Sequence, residues 1–77
     1  MDSGKLVYMA NQIGRFFQNQ PEAEAVANTA DHIKKFWDPR MRKAIFAHVD
    51  HENGEGLQPY VLKAIQALKS EAATPKV

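Results

Sequence analysis

The sequence predicts an all-α protein, a small bundle of four short helices. Apolar residues recur at every third or fourth position over most of the chain, which is the period of amphipathic helices, and the alternation typical of strands occurs nowhere. Pro21, Pro39 and Pro59 each stand where one apolar stripe ends and the next begins. Because 77 residues suffice for one domain and not for two, we expect a single helical domain over residues 1–77.

The first two helices follow from their apolar stripes. The first is expected from about Gly4 to Asn19 and the second from about Pro21 to Phe36, since proline fits the first turn of a helix. The stripe of the first consists of Leu6, Met9, Ala10, Ile13 and Phe17, with Phe16 at its edge. The stripe of the second consists of Val26, Ala30, Ile33 and Trp37, with Phe36 at its edge.

The third and fourth helices also begin at prolines. Asp38 is expected to cap a helix that starts at Pro39 and ends near Val49 or Asp50, before a turn with two glycines. Its apolar side consists of Met41, Ile45, Phe46 and Val49, with His48 at the boundary. The fourth helix begins near Pro59, and its apolar side consists of Leu57, Val61, Ala64, Ile65 and Leu68. We therefore expect order over about residues 4–69 and a disordered tail over residues 70–77.

Composition excludes several classes of function. The chain has no Cys, which excludes disulfides and thiolate metal sites and fits the reducing cytoplasm, where we expect the protein to reside. A net charge of +1 is too small to indicate nucleic-acid binding, and no apolar run is long enough to span a membrane. Ser3 and Ser70 lie near the ends, so a nucleophilic triad has no suitable member and we expect no catalytic residues.

The best metal-like pattern is the segment His48–Glu52, in which two imidazoles at i and i+3 stand beside two carboxylates. A zinc site needs further ligands held in place, and this segment runs into a glycine-containing turn. The favoured interpretation is a helix C-terminus whose histidines interact with the last carbonyl groups. We expect no bound metal or cofactor in this chain.

The segment His32–Lys43 predicts an interaction surface. It holds the single Trp and five of the ten Lys and Arg residues, namely Lys34, Lys35, Arg40, Arg42 and Lys43. Two aromatic pairs, at residues 16–17 and 36–37, have rings about 100° apart on their helices, so one ring of each pair lies at the margin of the core. Aromatic residues beside Arg are typical of protein interfaces. Two alternatives stay open: a solvated charged face, and a core in which Phe16 packs against Phe36.

Several segments of the chain resemble the delta subunit of NAD-dependent formate dehydrogenase. The resemblance covers about residues 5–68 in the order of the family. It is carried by Leu6–Ile13, Phe16–Phe17, Ala30–Arg42 and Gly56–Pro59 with Val61. The chain departs from the family pattern at Gln58, where an Asp that caps the last helix is expected.

The resemblance implies a non-catalytic accessory subunit of a soluble, multi-subunit bacterial enzyme. In such enzymes the alpha subunit carries a molybdenum or tungsten pterin and iron–sulfur clusters, and the beta and gamma subunits pass electrons through FMN to NAD. The delta subunit holds no redox centre and is expected to support assembly or stability of the complex, docking on the alpha subunit.

The expected partner-binding residues are Phe36, Trp37, Arg40 and Arg42, supported by the polar residues Asn11, Gln12 and His32. An uncovered aromatic margin would also allow two copies of the isolated chain to pair as a homodimer. The alternative function is a small helical nucleic-acid-binding protein, because helices two and three, joined by a tight turn, suggest helix-turn-helix geometry.

Overall fold

The computed structural model describes residues 2–73, in which four helices and no strand occur. The helices are α1 (Ser3–Phe16), α2 (Glu22–Phe36), α3 (Pro39–Glu52) and α4 (Pro59–Ala73). The predicted all-α fold is confirmed. Helix α4 continues beyond residue 69, where the sequence indicated the end of the ordered part, and the remainder of the expected tail, residues 74–77, lies outside the described residues. Within residues 2–73, no helix combines the length and apolar character that crossing a membrane requires.

Local hydrogen bonds fix where the helices begin and end. The carboxylate of Asp38 accepts the N–H of Met41 at 2.9 Å, and Pro39 occupies the first turn, so the predicted start of α3 is confirmed. Asp2 caps α1 in the same way, accepting the N–H of Gly4 at 3.0 Å. Helix α3 stops at Asn53, which adopts the left-handed conformation that ends many helices.

The core lies between all four helices, with α2 packed mainly against α4. It consists of Leu6, Ala10, Ile33, Trp37, Ile45, Val61, Ile65 and Leu68. The buried row of α2 differs from the predicted stripe, because Ala25 and Thr29 are buried while Val26 and Ala30 are only half-buried. The predicted stripe did not include Ala25 and Thr29, whose side chains are small enough for close packing.

Gly14 marks the closest approach of α1 to α4. It is buried, and a Cβ atom at this position would clash with Cγ2 of Val61 and lie 3.0 Å from Cε2 of Tyr60. The stripe predicted for α1 omitted Gly14, since an apolar-periodicity argument assigns no side to a residue without a side chain. The lack of a side chain here allows the two helices to pack closely.

Candidate functional site

Trp37 does not lie on the surface. Trp37 is 6% exposed and belongs to the core, and its main-chain N–H donates to the carbonyl of Ile33 at 2.9 Å where α2 ends. The position of Trp37 in the apolar stripe accounts for this burial. Of the residues expected to contact a partner, Trp37 therefore offers little surface and instead fixes the corner between α2 and α3.

Two phenylalanines are strongly exposed. Phe16 is 84% exposed and Phe36 is 72% exposed, so the alternative in which they pack against each other in the core is wrong. Phe16 meets the edge of Phe17 with ring centroids 5.3 Å apart, and Phe36 lies against the ring of His32 at 4.6 Å. Each exposed ring is thus held by one aromatic neighbour on its own chain.

These rings belong to one continuous surface, which we call the aromatic face and which consists of Gln12, Phe16, Phe17, His32 and Phe36. A groove of about 280 Å³ runs between α1 and α2, lined by the first four of these residues and Ile13. His32 lines this groove and also contacts Phe36, so it joins the two parts. Gln12 donates from its side-chain amide to the hydroxyl of Tyr8 at 2.7 Å, which leaves its carbonyl oxygen for another donor.

The basic residues of α2 do not share the aromatic face. Lys34 and Phe36 are two residues apart in one helix, so their side chains point about 200° apart. Lys34 forms an ion pair with Glu71 of α4, whereas Phe36 lies against His32. The single basic and aromatic corner expected from the sequence is therefore two surfaces on opposite flanks of the buried row of α2.

The second surface is a cleft of about 460 Å³, which we call the basic cleft. It lies between the end of α2, the first half of α3 and the end of α4, and the residues that line it include Lys34, Arg42, Lys43, Phe46, Leu68 and Glu71. The guanidinium of Arg42 donates to the main-chain carbonyl of Lys34 at 3.0 Å, which fixes its position. Arg40 is exposed and points about 200° away from Arg42 around α3. On the far side of α2, Lys35 pairs with Asp31 at 3.0 Å.

Asn11 makes its hydrogen bonds within the chain. Its amide donates to the carbonyl of Gly56 at 2.9 Å, and its carbonyl oxygen accepts the N–H of Gln58 at 3.0 Å. These bonds fasten α1 to the segment before α4, which begins at Gly56 and includes Gln58. With both of its polar atoms engaged, Asn11 supports the fold at this point rather than presenting free groups to a partner.

In the metal-like segment at the end of α3, both ring nitrogens of His48 lie close to oxygen atoms of the same chain. His48 is 8% exposed, its Nε2 lies 2.8 Å from the carbonyl oxygen of Glu55, and its Nδ1 lies 2.9 Å from a carboxylate oxygen of Glu52. Within residues 2–73, no group of three or more His, Cys, Asp or Glu side chains is placed to hold a metal ion. The arrangement is that of a histidine that ties the end of a helix to the following turn.

Sequence reasoning missed Glu71 and Phe46 as parts of a surface. Glu71 fell in the segment expected to be disordered, and Phe46 was assigned to the core side of α3. The apolar residues Ala72 and Ala73, which follow Leu68 in the sequence, were the available signal that α4 continues.

Comparison with known families identifies the chain. A family model described as NADH-dependent formate dehydrogenase delta subunit, FdsD, matches residues 5–65. No curated protein and no solved structure matches significantly. The family match gives no support to the alternative of a nucleic-acid-binding protein. Since the match spans most of the 77 residues and agrees with the segments that carry the resemblance, the chain belongs to the family of formate dehydrogenase delta subunits.

Proposed function

We propose that this chain is a non-catalytic accessory subunit that supports assembly or stability of a formate dehydrogenase complex by docking on the alpha subunit, and through it on the beta and gamma subunits. The observation that carries the proposal is the pair of strongly exposed phenylalanines on one side of a domain whose family is that of the delta subunits. Large aromatic rings that remain outside the core of a small domain are typical of surfaces that a partner covers.

The aromatic face has the composition of an interface centre. Phe16 and Phe36 supply large apolar area with few rotatable bonds, and the groove beside them can receive a side chain of the partner. Gln12 and His32 add hydrogen-bonding groups at the border of the groove. Arg40, which is exposed at the start of α3, is the basic residue that we include in the contact.

Docking of this kind acts by mass action. A subunit that binds only the folded or cofactor-loaded state of a larger partner shifts the equilibrium towards that state without reacting itself. The molybdenum or tungsten pterin, the iron–sulfur clusters and FMN then belong to the partner subunits. The delta chain contributes binding free energy and no chemistry.

The test is co-purification in cells that produce the whole complex. Full burial of a phenylalanine contributes about 1.5–3 kcal/mol, so replacing both rings in Phe16→Ser/Phe36→Ser should weaken docking by a factor of about 100 or more. We expect the tagged double variant to lose the alpha subunit on purification and to lower formate-dependent NAD reduction in the cells.

Tyr8→Ser is the matched control, because Tyr8 is an exposed aromatic residue of the same helix outside the lining of the groove. It releases the side-chain amide of Gln12 but leaves both exposed phenylalanines in place. It should retain the alpha subunit, and circular dichroism should show that all variants remain helical. Normal recovery of the alpha subunit with the folded double variant would refute the aromatic face as the docking surface. Arg40→Glu tests the proposed contact of Arg40 in the same assay and should reduce recovery less than the double variant.

A further inference from the structure

The basic cleft carries an excess of positive charge that the chain itself leaves uncompensated. Three cationic side chains, Lys34, Arg42 and Lys43, face the cleft, and Glu71 is the one carboxylate among its lining residues in the described part of the chain. The cleft lies on the flank of α2 opposite to the aromatic face, so docking of a partner through that face leaves the cleft open. An anionic group is the chemical complement of such a surface.

Glu71 shows which anion the cleft accepts. Its carboxylate forms an ion pair with the ammonium group of Lys34, and both side chains are more than half exposed, at 60% and 55%. Exposed pairs of this kind contribute little to stability and exchange readily with other partners. Glu71 therefore occupies the position that a carboxylate of another molecule would take.

Arg42 is oriented to bind a carboxylate. One of its five N–H donors is used by the carbonyl of Lys34, which holds the guanidinium in place at the wall of the cleft. Planar guanidinium groups bind carboxylates through two parallel hydrogen bonds, and holding the group in advance reduces the entropy lost on binding. Lys43 lies next to Arg42 and adds a second, more mobile positive charge.

The floor of the cleft is apolar, and this selects the class of ligand. The accessible apolar lining includes Phe46, which is half-buried, and Ala72, which is exposed, and the volume of about 460 Å³ has room for several side chains. An inorganic anion would leave these apolar groups uncovered. A nucleic acid requires a basic surface that follows its backbone, and Glu71 and the net charge of +1 oppose one.

We propose that the basic cleft binds an acidic segment of a partner protein that carries both carboxylate and aliphatic side chains. Its carboxylates contact Arg42, Lys43 and Lys34 and displace Glu71, while its aliphatic side chains cover Phe46 and Ala72. The inference deepens the proposed function, since it gives the accessory subunit a second contact, but binding in the cleft does not depend on the aromatic face.

The experiment measures binding of a labelled, end-capped hexapeptide of alternating glutamate and leucine to the full chain by fluorescence anisotropy. Glu71→Gln frees Lys34 and should tighten binding about two- to fivefold, whereas Lys43→Gln should weaken it about two- to fivefold. Arg42→Gln should weaken it more, by about five- to tenfold, because hydrogen bonds between charged groups are the stronger ones.

Two variants outside the cleft control for net charge. Glu24→Gln and Lys5→Gln change the total charge as Glu71→Gln and Lys43→Gln do, but neither residue lines the cleft. Both should leave the affinity within about twofold of the unchanged chain. The inference is overturned if the peptide does not bind, if these controls shift the affinity as much as the cleft variants, or if single-stranded DNA binds more tightly than the peptide.

The proposals for the aromatic face and for the basic cleft can be refuted independently of each other. Phe16→Ser/Phe36→Ser should leave binding of the acidic peptide unchanged while it abolishes recovery of the alpha subunit. Loss of peptide binding in that double variant would show that the peptide occupies the aromatic face and would refute the cleft. Normal recovery of the alpha subunit, with the cleft variants behaving as expected, would refute only the aromatic face.

Discussion

Replacing Gly14 by Ala tests the close packing of α1 against α4. In a helix interior alanine is favoured over glycine by about 1 kcal/mol, which alone would stabilise the protein. The added methyl group, however, would clash with Cγ2 of Val61 and approach Cε2 of Tyr60 to 3.0 Å. Overpacking of a core costs about 1–3 kcal/mol, so the steric term should exceed the helical one. We expect Gly14→Ala to lower the free energy of unfolding by up to about 2 kcal/mol.

Urea and thermal unfolding followed by circular dichroism measure this change. For a domain of this size, 1 kcal/mol corresponds to about 4–8 °C in Tm. Gly4→Ala is the matched control, because Gly4 is an exposed residue of the same helix and its added methyl group would lie 3.4 Å from a side-chain oxygen, Oδ1 of Asp2, which is an ordinary contact distance. It should be neutral or stabilising by up to about 1 kcal/mol.

A double-mutant cycle isolates the contact. In a Val61→Ala background the clashing methyl group is absent, so Gly14→Ala should become neutral or stabilising and recover part of the stability that Val61→Ala loses. The reasoning is refuted if Gly14→Ala stabilises the unchanged chain as Gly4→Ala does, or if the two substitutions add within about 0.5 kcal/mol.

Substitutions at three further positions test local features by the same unfolding measurements. Asp38→Ala removes the cap of α3 and should cost about 0.5–2 kcal/mol, whereas Asp38→Asn, which keeps an acceptor for the N–H of Met41, should cost less. Thr29→Val should stabilise by about 1 kcal/mol, because the buried Oγ1 has no hydrogen-bond partner among the described residues; a loss of stability would show that it has one. Asn53 has a φ of 57°, so Asn53→Ala should be about 1 kcal/mol less stable than Asn53→Gly, and equal stability would contradict a left-handed cap.

The starts of the helices were predictable because their causes are local. Asp38 and Pro39 cap and open α3 through atoms within three residues, and the sequence alone contains that chemistry. The buried row of α2 was not predictable to the residue, since the burial of Ala25 and Thr29 depends on how α2 packs against other helices, mainly α4. Small side chains carry a weak periodic signal, and the choice between neighbouring rows depends on the partner helix.

The position of the interaction surface was only partly predictable. The sequence indicated correctly that Phe16 and Phe36 lie at the margin of the core. The angle of about 200° between residues 34 and 36 around the helix already implies that their side chains point to different sides of α2. What it could not supply was the neighbour in each direction, since Lys34 meets Glu71, and His32, the neighbour of Phe36, faces the groove beside α1, only after the chain folds. The cleft therefore depends on contacts between residues far apart in sequence, and no local sequence pattern predicts such contacts.

The size of the aromatic face bears on whether the isolated chain pairs with itself. If Phe16 and Phe36 of two copies met, the four rings would bury at most about 150–250 Å² each, or about 1,000 Å² together. Stable, specific interfaces bury about 1,200 Å² or more, so a homodimer held mainly by these rings should be weak. We expect sedimentation equilibrium to show a monomer at micromolar concentration with self-association only at much higher concentration, reduced further in Phe16→Ser/Phe36→Ser. A tight dimer that survives this double variant would refute pairing through the aromatic face, whereas a tight dimer that the variant abolishes would mean that self-pairing competes with docking on the alpha subunit.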